Sequence, residues 1–314
     1  IMVFRNFTVE PVLNVIKVEL MKKKILPIFQ VSNYNDYLTL FQNNIFKKNL
    51  NKFDFFLVLL WRDSISEELN HNFDIKKLNR IKGILSKFFL EIKTLLSMIR
   101  KASSAPILYF NNPKLNTRKL GLIDKEFQHG SENLINNFNK NLSKINKKFN
   151  STYMLDLEHI FYNFGYSNCI DLNQWYGAML PFSHLGIVEV GKEISKYNIS
   201  FFSANHKLII LDADNTLWGG ILGEEGENKI KLNNQVPGVY FKNFQRQILN
   251  LKNRGVLLAL CTKNNLSDID NLFKKNKNLI LKKNDFAVIE SNWKPKNINV
   301  KNILSQTNIL QSNV

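Results

Sequence analysis

Two aspartates, Asp212 and Asp214, stand two positions apart at the end of an apolar run, in the stretch LIILDADNTLWGG. Ionised carboxylates that close repel unless a cation or a shared proton lies between them. Magnesium is the hard ion that takes one or two carboxylates and leaves room for phosphate oxygens. The chemistry this suits is phosphoryl transfer: one aspartate attacks phosphorus, the other handles the leaving-group proton, and the metal neutralises developing charge. Such a site also needs a hydroxyl and a cation to hold the phosphate. Thr262, closing the run VLLALCT, supplies the first, and Lys294 or Lys296 in SNWKPKN supplies the second.

The elements that must position these groups can be read around them. Ligands of an open parallel sheet bind at the carboxyl ends of its strands. Leu208 to Leu211 reads as a strand, so Asp212 emerges at that end. Side chains alternate along an extended chain, so Asp212 and Asp214 face one pocket if the backbone stays extended. A helix is expected from about Val239 to Arg254, with Gly255 as its stop, and 256 to 262 is the next strand. The remaining interval holds only a Gly-containing hairpin, GGILGEEGENKIKL, which leaves no room for a large cap domain. The bland reading of Asp-x-Asp is turn and capping chemistry.

Upstream, IMVF (1 to 4), ILPIFQV (25 to 31), FDFFLVLLW (53 to 61), APILYF (105 to 110) and STYMLDL (151 to 157) read as short buried strands. Helical periods lie between them, at Pro11 to Lys23, Asp74 to Arg100 and Glu132 to Lys148. Strands alternating with helices predict an α/β chain of two three-layer domains with parallel sheets, divided near Ser200.

The longest uninterrupted apolar run, Phe55 to Trp61, is too short for a membrane span, which needs roughly 20 residues. Two distant cysteines, Cys169 and Cys261, provide neither a disulfide framework nor a metal knuckle, and a reducing cytoplasm fits. The formal charge of +17 comes from lysines scattered among Asn and Ile, so no nucleic-acid stripe is expected. The densest basic segment, FKKNKNLILKKND at 273 to 285, reads as a solvated surface or as a docking patch for an acidic partner.

DADNT resembles the Asp-x-Asp-x-Thr motif of the haloacid-dehalogenase superfamily. Together, LDADNTLWGGILGEEG, GVLLALCTKNN and NDFAVIESNWKPKN resemble the FkbH-like family, whose phosphatase-like domain is of subfamily IIIC. RNFTVEPVL and DLNQWYGAMLPFSHLG are similar to the SGNH-hydrolase-like region that precedes that domain. The resemblance implies an SGNH/flavodoxin-like domain over 1 to 200 and a Rossmann-like haloacid-dehalogenase domain over 201 to 314. It implies Asp212 as nucleophile and Mg2+ ligand, and Asp214 as general acid and base, meeting the metal through its backbone carbonyl. Thr262 would bond the phosphate, and Lys296 would be the motif lysine, with Lys294 the alternative. Asn215, Trp218, Gly219, Cys261, Lys263 and Asn264 are candidate substrate contacts beside them. The implied activity is transfer of a glyceryl unit from 1,3-bisphosphoglycerate, a phosphorylated three-carbon acid, to an acyl carrier protein in polyketide or surface-glycan biosynthesis. A plain small-metabolite phosphatase and a non-catalytic carrier-binding module are the alternatives.

Three departures matter. The superfamily completes its magnesium site with a later acidic pair, and no Asp or Glu follows Lys296 here, so the sequence reads as a fragment that binds magnesium poorly. Cys261 could form a thioester, with Lys263 lowering its pKa, or be a buried inert thiol on the face opposite Thr262. In the N-terminal domain a hydrolase with His184 as base needs a serine after the first strand, where Arg5-Asn6 stands. Ser183, His184 and Asp171 are then expected to cap or pack, the domain to contribute substrate or carrier-protein contacts, and Trp175 and Tyr176 to pack into the core or else to line that contact surface.

Overall fold

The computed structural model describes residues 1–69, 73–114, 118–202, 206–227 and 229–314. The chain divides into two compact units, Ile1–Phe202 and Ser203–Val314. The division falls at the end of the helix His184–Phe202, which runs through Ser200.

The first unit is a five-stranded parallel sheet of β1 (Met2–Arg5), β2 (Gln30–Tyr34), β3 (Phe56–Leu59), β4 (Ile107–Phe110) and β5 (Thr152–Leu155). Their order is β2-β1-β3-β4-β5, a doubly wound arrangement. Strand alternation feeds two cores. Val3, Leu57, Leu59, Leu108 and Phe110 pack with the helices Glu10–Met21 and His184–Phe202. Met2, Phe4, Phe56, Val58, Ile107 and Tyr109 pack with Leu78–Ala102 and Ser131–Asn146. The second strand lies later than the run 25 to 31 suggested. Pro27 lacks an N–H for the ladder, Leu26 and Ile28 stay exposed, and pairing with β1 starts at Gln30.

The carboxyl ends of β1, β3 and β4 are closed by side-chain amides. Asn6 donates to Trp61 O at 2.9 Å and accepts from Trp61 N at 2.6 Å, which commits the side chain at the position where a hydrolase would need its serine. Arg62 is fully buried: it donates to Pro113 O, to Tyr166 Oη at 3.2 Å, and lies 3.3 Å from Asp63. Asn112 accepts from Arg62 N at 3.0 Å, and Asn111 bridges Leu157 N and Asp156. Asp171 caps the helix Leu172–Ala178, Ser183 accepts from Gly186 N at the start of the last helix, and His184 is exposed. Trp175 packs partly against the core, whereas Tyr176 is exposed, contrary to the packing expected of it.

The second unit is a three-stranded parallel sheet in the order β6-β7-β8, with β6 at Leu208–Leu211, β7 at Leu257–Thr262 and β8 at Val288–Ser291. Among the described residues β6 has β7 on one side and no strand on the other. Leu211, Leu258 and Leu260 face one core with Ile248, Ile269 and Leu272. Leu208, Ala259 and Cys261 face a second core with Ile303 of the helix Lys296–Thr307. The helix Gly238–Asn253 ends at Gly255, whose φ of 97° only glycine adopts readily. No described helix is long and apolar enough to cross a membrane.

Candidate active site

Asp212 leaves β6 at the carboxyl end of the sheet. Lys296 Nζ donates to its Oδ2 at 2.5 Å and Ala213 N to its Oδ1 at 2.9 Å. A carboxylate offers about four lone-pair sites, so each oxygen of Asp212 keeps a vacant one. That leaves room for a bond to phosphorus from one oxygen and for a cation on the other. Lys296 is the first residue of its helix, where the macrodipole disfavours a cation by about 0.3–1 kcal/mol. Its partner is therefore Asp212 and not the helix. Lys294 is exposed and held through its backbone, Asn292 Oδ1 accepting from Lys294 N at 2.9 Å. Of the two lysines, the structure sets Lys296 against the carboxylate.

The backbone does not stay extended to Asp214. Ala213 O accepts from Thr216 N at 3.1 Å and Leu217 N at 2.8 Å, and Asn215 sits at φ 53°. Asn215 is tolerated there because its short side chain bonds locally, Oδ1 accepting from Gly220 N at 2.9 Å. Asp214 is aimed instead by three donors. Trp218 Nε1 at 3.0 Å and Leu222 N at 3.1 Å bond Oδ1, and Asn264 Nδ2 at 2.8 Å bonds Oδ2. Oδ1 is thereby filled, and Oδ2 alone keeps a position for a proton.

Asn264 is the joint of the site. The same Nδ2 donates to Thr262 Oγ1 at 2.9 Å, and Ser291 Oγ donates to Asn264 O at 2.8 Å, tying the ends of β7 and β8 to Asp214. Thr262 and Asn264 are both buried. A second clamp, Asn299 Nδ2 to Asn292 Oδ1 at 2.9 Å, fixes the loop that carries Lys296. Gln245, fully buried on Gly238–Asn253, donates to Leu217 O at 2.6 Å and accepts from Ile280 N and Leu281 N. Sequence reasoning missed the clamp and Gln245. It named Asn264 two residues beyond Thr262, but without these partners.

The remaining candidates fall around this centre. The Trp218 ring is buried, so its part is to orient Asp214. Gly219 lies where a Cβ would come 2.8 Å from Phe241, and its backbone pairs with Lys231. That pairing closes a loop containing the short helix Leu222–Glu225, where a hairpin was expected. Lys263 is exposed. In the basic run, Lys275 pairs with Glu227 at 2.9 Å and Lys283 with Asp270 at 2.6 Å, and Lys274, Lys277 and Lys282, the last donating to Leu279 O at 2.7 Å, are exposed as well.

Cys261 is buried on the face opposite Thr262, beside Ala259 and Ile303. Burial pushes its thiol up from the ordinary value; the Lys296 ammonium opposes this, and Asp212 and Glu290 reinforce it. Cys169 is also raised, by burial and then Glu189. At pH 7.5 both thiols of the native chain should therefore resist iodoacetamide and react after unfolding in guanidinium, read by intact mass. Rapid native labelling of Cys261 would point to an accessible nucleophile.

No family model matches the chain, and no curated protein does. Among solved structures, it matches a crystal structure of the N-terminal part of BF1531 from Bacteroides fragilis, containing a phosphatase domain and complexed with Mg. The TM-score is 0.78 at 20% identity, over 98% of this chain and 80% of that chain. The two chains share a fold. It is α/β with parallel sheets, as the alternation of apolar runs and helical periods indicated.

Proposed function

We propose that the second unit carries out magnesium-dependent phosphoryl chemistry of the haloacid-dehalogenase type on a small phosphorylated metabolite. The observation that carries this reading is the placement of Asp212, paired to Lys296, on the strand next to Thr262, with Asn264 joining Thr262 to Asp214. An Asp212 oxygen bonds phosphorus as the bond to the leaving oxygen breaks. Asp214 Oδ2 gives that oxygen its proton and then takes one from the water that hydrolyses the aspartyl phosphate. Thr262 Oγ1, which accepts from Asn264, keeps its own hydrogen for a phosphate oxygen.

Among the described residues no three His, Cys, Asp or Glu side chains form a metal cluster. Magnesium fits the set that is present in part: Asp212 and the Asp214 carbonyl are hard oxygens, and water and phosphate would complete its shell. Bound there, the metal would neutralise charge on the transferred group. The magnesium in the BF1531 crystal supports this choice of ion.

The motif resemblance supports a narrower, FkbH-like reading: glyceryl transfer from 1,3-bisphosphoglycerate to an acyl carrier protein, with an SGNH-like, non-hydrolytic first unit. What favours it is the lack of a cap domain in the described residues between β6 and β7, which leaves the site open to a carrier-borne group. The commitment of Asn6 to Trp61 supports the non-hydrolytic part, and two free cysteines suit a reducing cytoplasm. The buried Cys261 counts against a thioester on that thiol without rearrangement.

The test incubates the chain with magnesium and either acyl or ester phosphates, measuring phosphate and weighing an added carrier protein. Phosphate release abolished by EDTA supports the general reading. A glyceryl mass on the carrier supports the narrower one, and no release from any phosphate overturns both.

A further inference from the structure

The chain has four tryptophans, and three of them are wholly or partly buried. Trp61 and Trp218 bury their rings while Nε1 donates to Asp63 and Asp214. Trp293 differs. Its Nε1 donates to Asn265 Oδ1 at 3.1 Å, yet the residue is 68% exposed. The hydrogen bond satisfies the one polar atom of the ring and tethers its edge to Asn265, while most of its apolar surface stays exposed.

This ring is tethered to the segment that carries the phosphoryl site. Asn265 follows Asn264, which bonds both Asp214 and Thr262, and Trp293 belongs to the loop delivering Lys296 to Asp212. Leu266, 49% exposed, opens the helix Leu266–Lys275, and Ile298, 44% exposed, lies in the first turn of Lys296–Thr307, two helices that follow β7 and β8. A tryptophan buries about 150–250 Å² when covered, and single exposed apolar side chains need no explanation. An exposed indole tethered to Asn265, next in sequence to a residue that bonds both Asp214 and Thr262, does. Tethering the ring in advance removes an ordering cost from whatever covers it.

We propose that Trp293 sets the specificity of the phosphoryl site by receiving an apolar group on the leaving side of the phosphate. The inference rests on the general phosphoryl-transfer reading above and deepens it, and it counts against the narrower glyceryl one: the substrate is more than a phosphorylated polar three-carbon unit. It carries a planar ring or an alkyl segment beside the phosphate. Asp212, Asp214 and Thr262 handle the phosphoryl group, and Trp293 reads its neighbour. Trp293 is a binding contact and takes no part in bond breaking.

The experiment compares phenylphosphonate, hexylphosphonate and methylphosphonate as ligands of the full chain with magnesium, with affinities for wild type and variants from isothermal titration calorimetry and shielding of Trp293 in the wild type from acrylamide quenching of tryptophan emission. Trp293 supplies most of the quenchable signal, which the Trp293→Phe variant identifies. The expected result is binding of phenyl- or hexylphosphonate at least about tenfold tighter than methylphosphonate, with Trp293 shielded from acrylamide. Phenyl preference indicates a ring and hexyl preference a chain. Trp293→Ala should bring the affinity ratio close to one, and Trp293→Phe should keep part of it. Equal affinity for all three in the wild type, or a ratio unchanged in Trp293→Ala, would overturn the assignment while leaving the phosphoryl site intact. Failure of every phosphonate to bind would instead remove the underlying reading, and this one with it.

Discussion

Asp212→Asn will lose phosphate release by on the order of 10⁴-fold or more, because the amide cannot form the aspartyl phosphate and single nucleophile removals have effects of that size. The fold should hardly notice. Asp212 and Lys296 are 40% and 47% exposed as side chains, and exposed ion pairs contribute roughly 0–1 kcal/mol. Thermal unfolding of the variant should therefore lie within a few degrees of the wild type. Stopped-assay phosphate measurements beside a melting curve separate the two effects. A variant that keeps a tenth of the activity would show that Asp212 is not the attacking group.

Arg62→Ala will destabilise the first unit by about 3–5 kcal/mol, the usual cost of removing one partner of a buried ion pair. Arg62 is fully buried, and its loss removes the cation beside Asp63, which keeps its bond from Trp61 Nε1, together with the donors to Pro113 O and Tyr166 Oη. For a unit of this size each kcal/mol moves the midpoint by roughly 2–4 °C, so a fall on the order of 10 °C is expected. Urea titration followed by far-ultraviolet circular dichroism gives the free energy directly. A change below about 1 kcal/mol would mean that solvent or neighbouring side chains already compensate for the charge.

Both results bear on how far the chain could be read before its structure was known. The strands β6 and β7 were legible because buried parallel strands are written as uninterrupted apolar runs, LIIL and LLALCT. The strand β8 was not: in VIES every residue is only half-buried, and no run or clean alternation marks it. The positions of Asp212 and Thr262 follow from strand ends and could be argued from one dimension. Asn264, the Asn292–Asn299 clamp and Gln245 could not. Each acts through a hydrogen bond to a group distant in sequence, and such bonds leave no periodicity behind. Whether the backbone stays extended after Asp212 was left as a condition for the same reason, since Trp218 and Leu222 aim Asp214 from beyond the strand.

The side of β6 on which the described residues place no strand has a colloidal consequence. Natural sheets blunt a free edge with lysine, proline, a bulge or a covering segment, but Leu208–Leu211 contains neither lysine nor proline and pairs with β7 without a break in register. The backbone that ends in the proposed nucleophile is thus also a template on which a stray strand could grow. In concentrated solution, clumping of this chain should begin at the same four residues that end in Asp212.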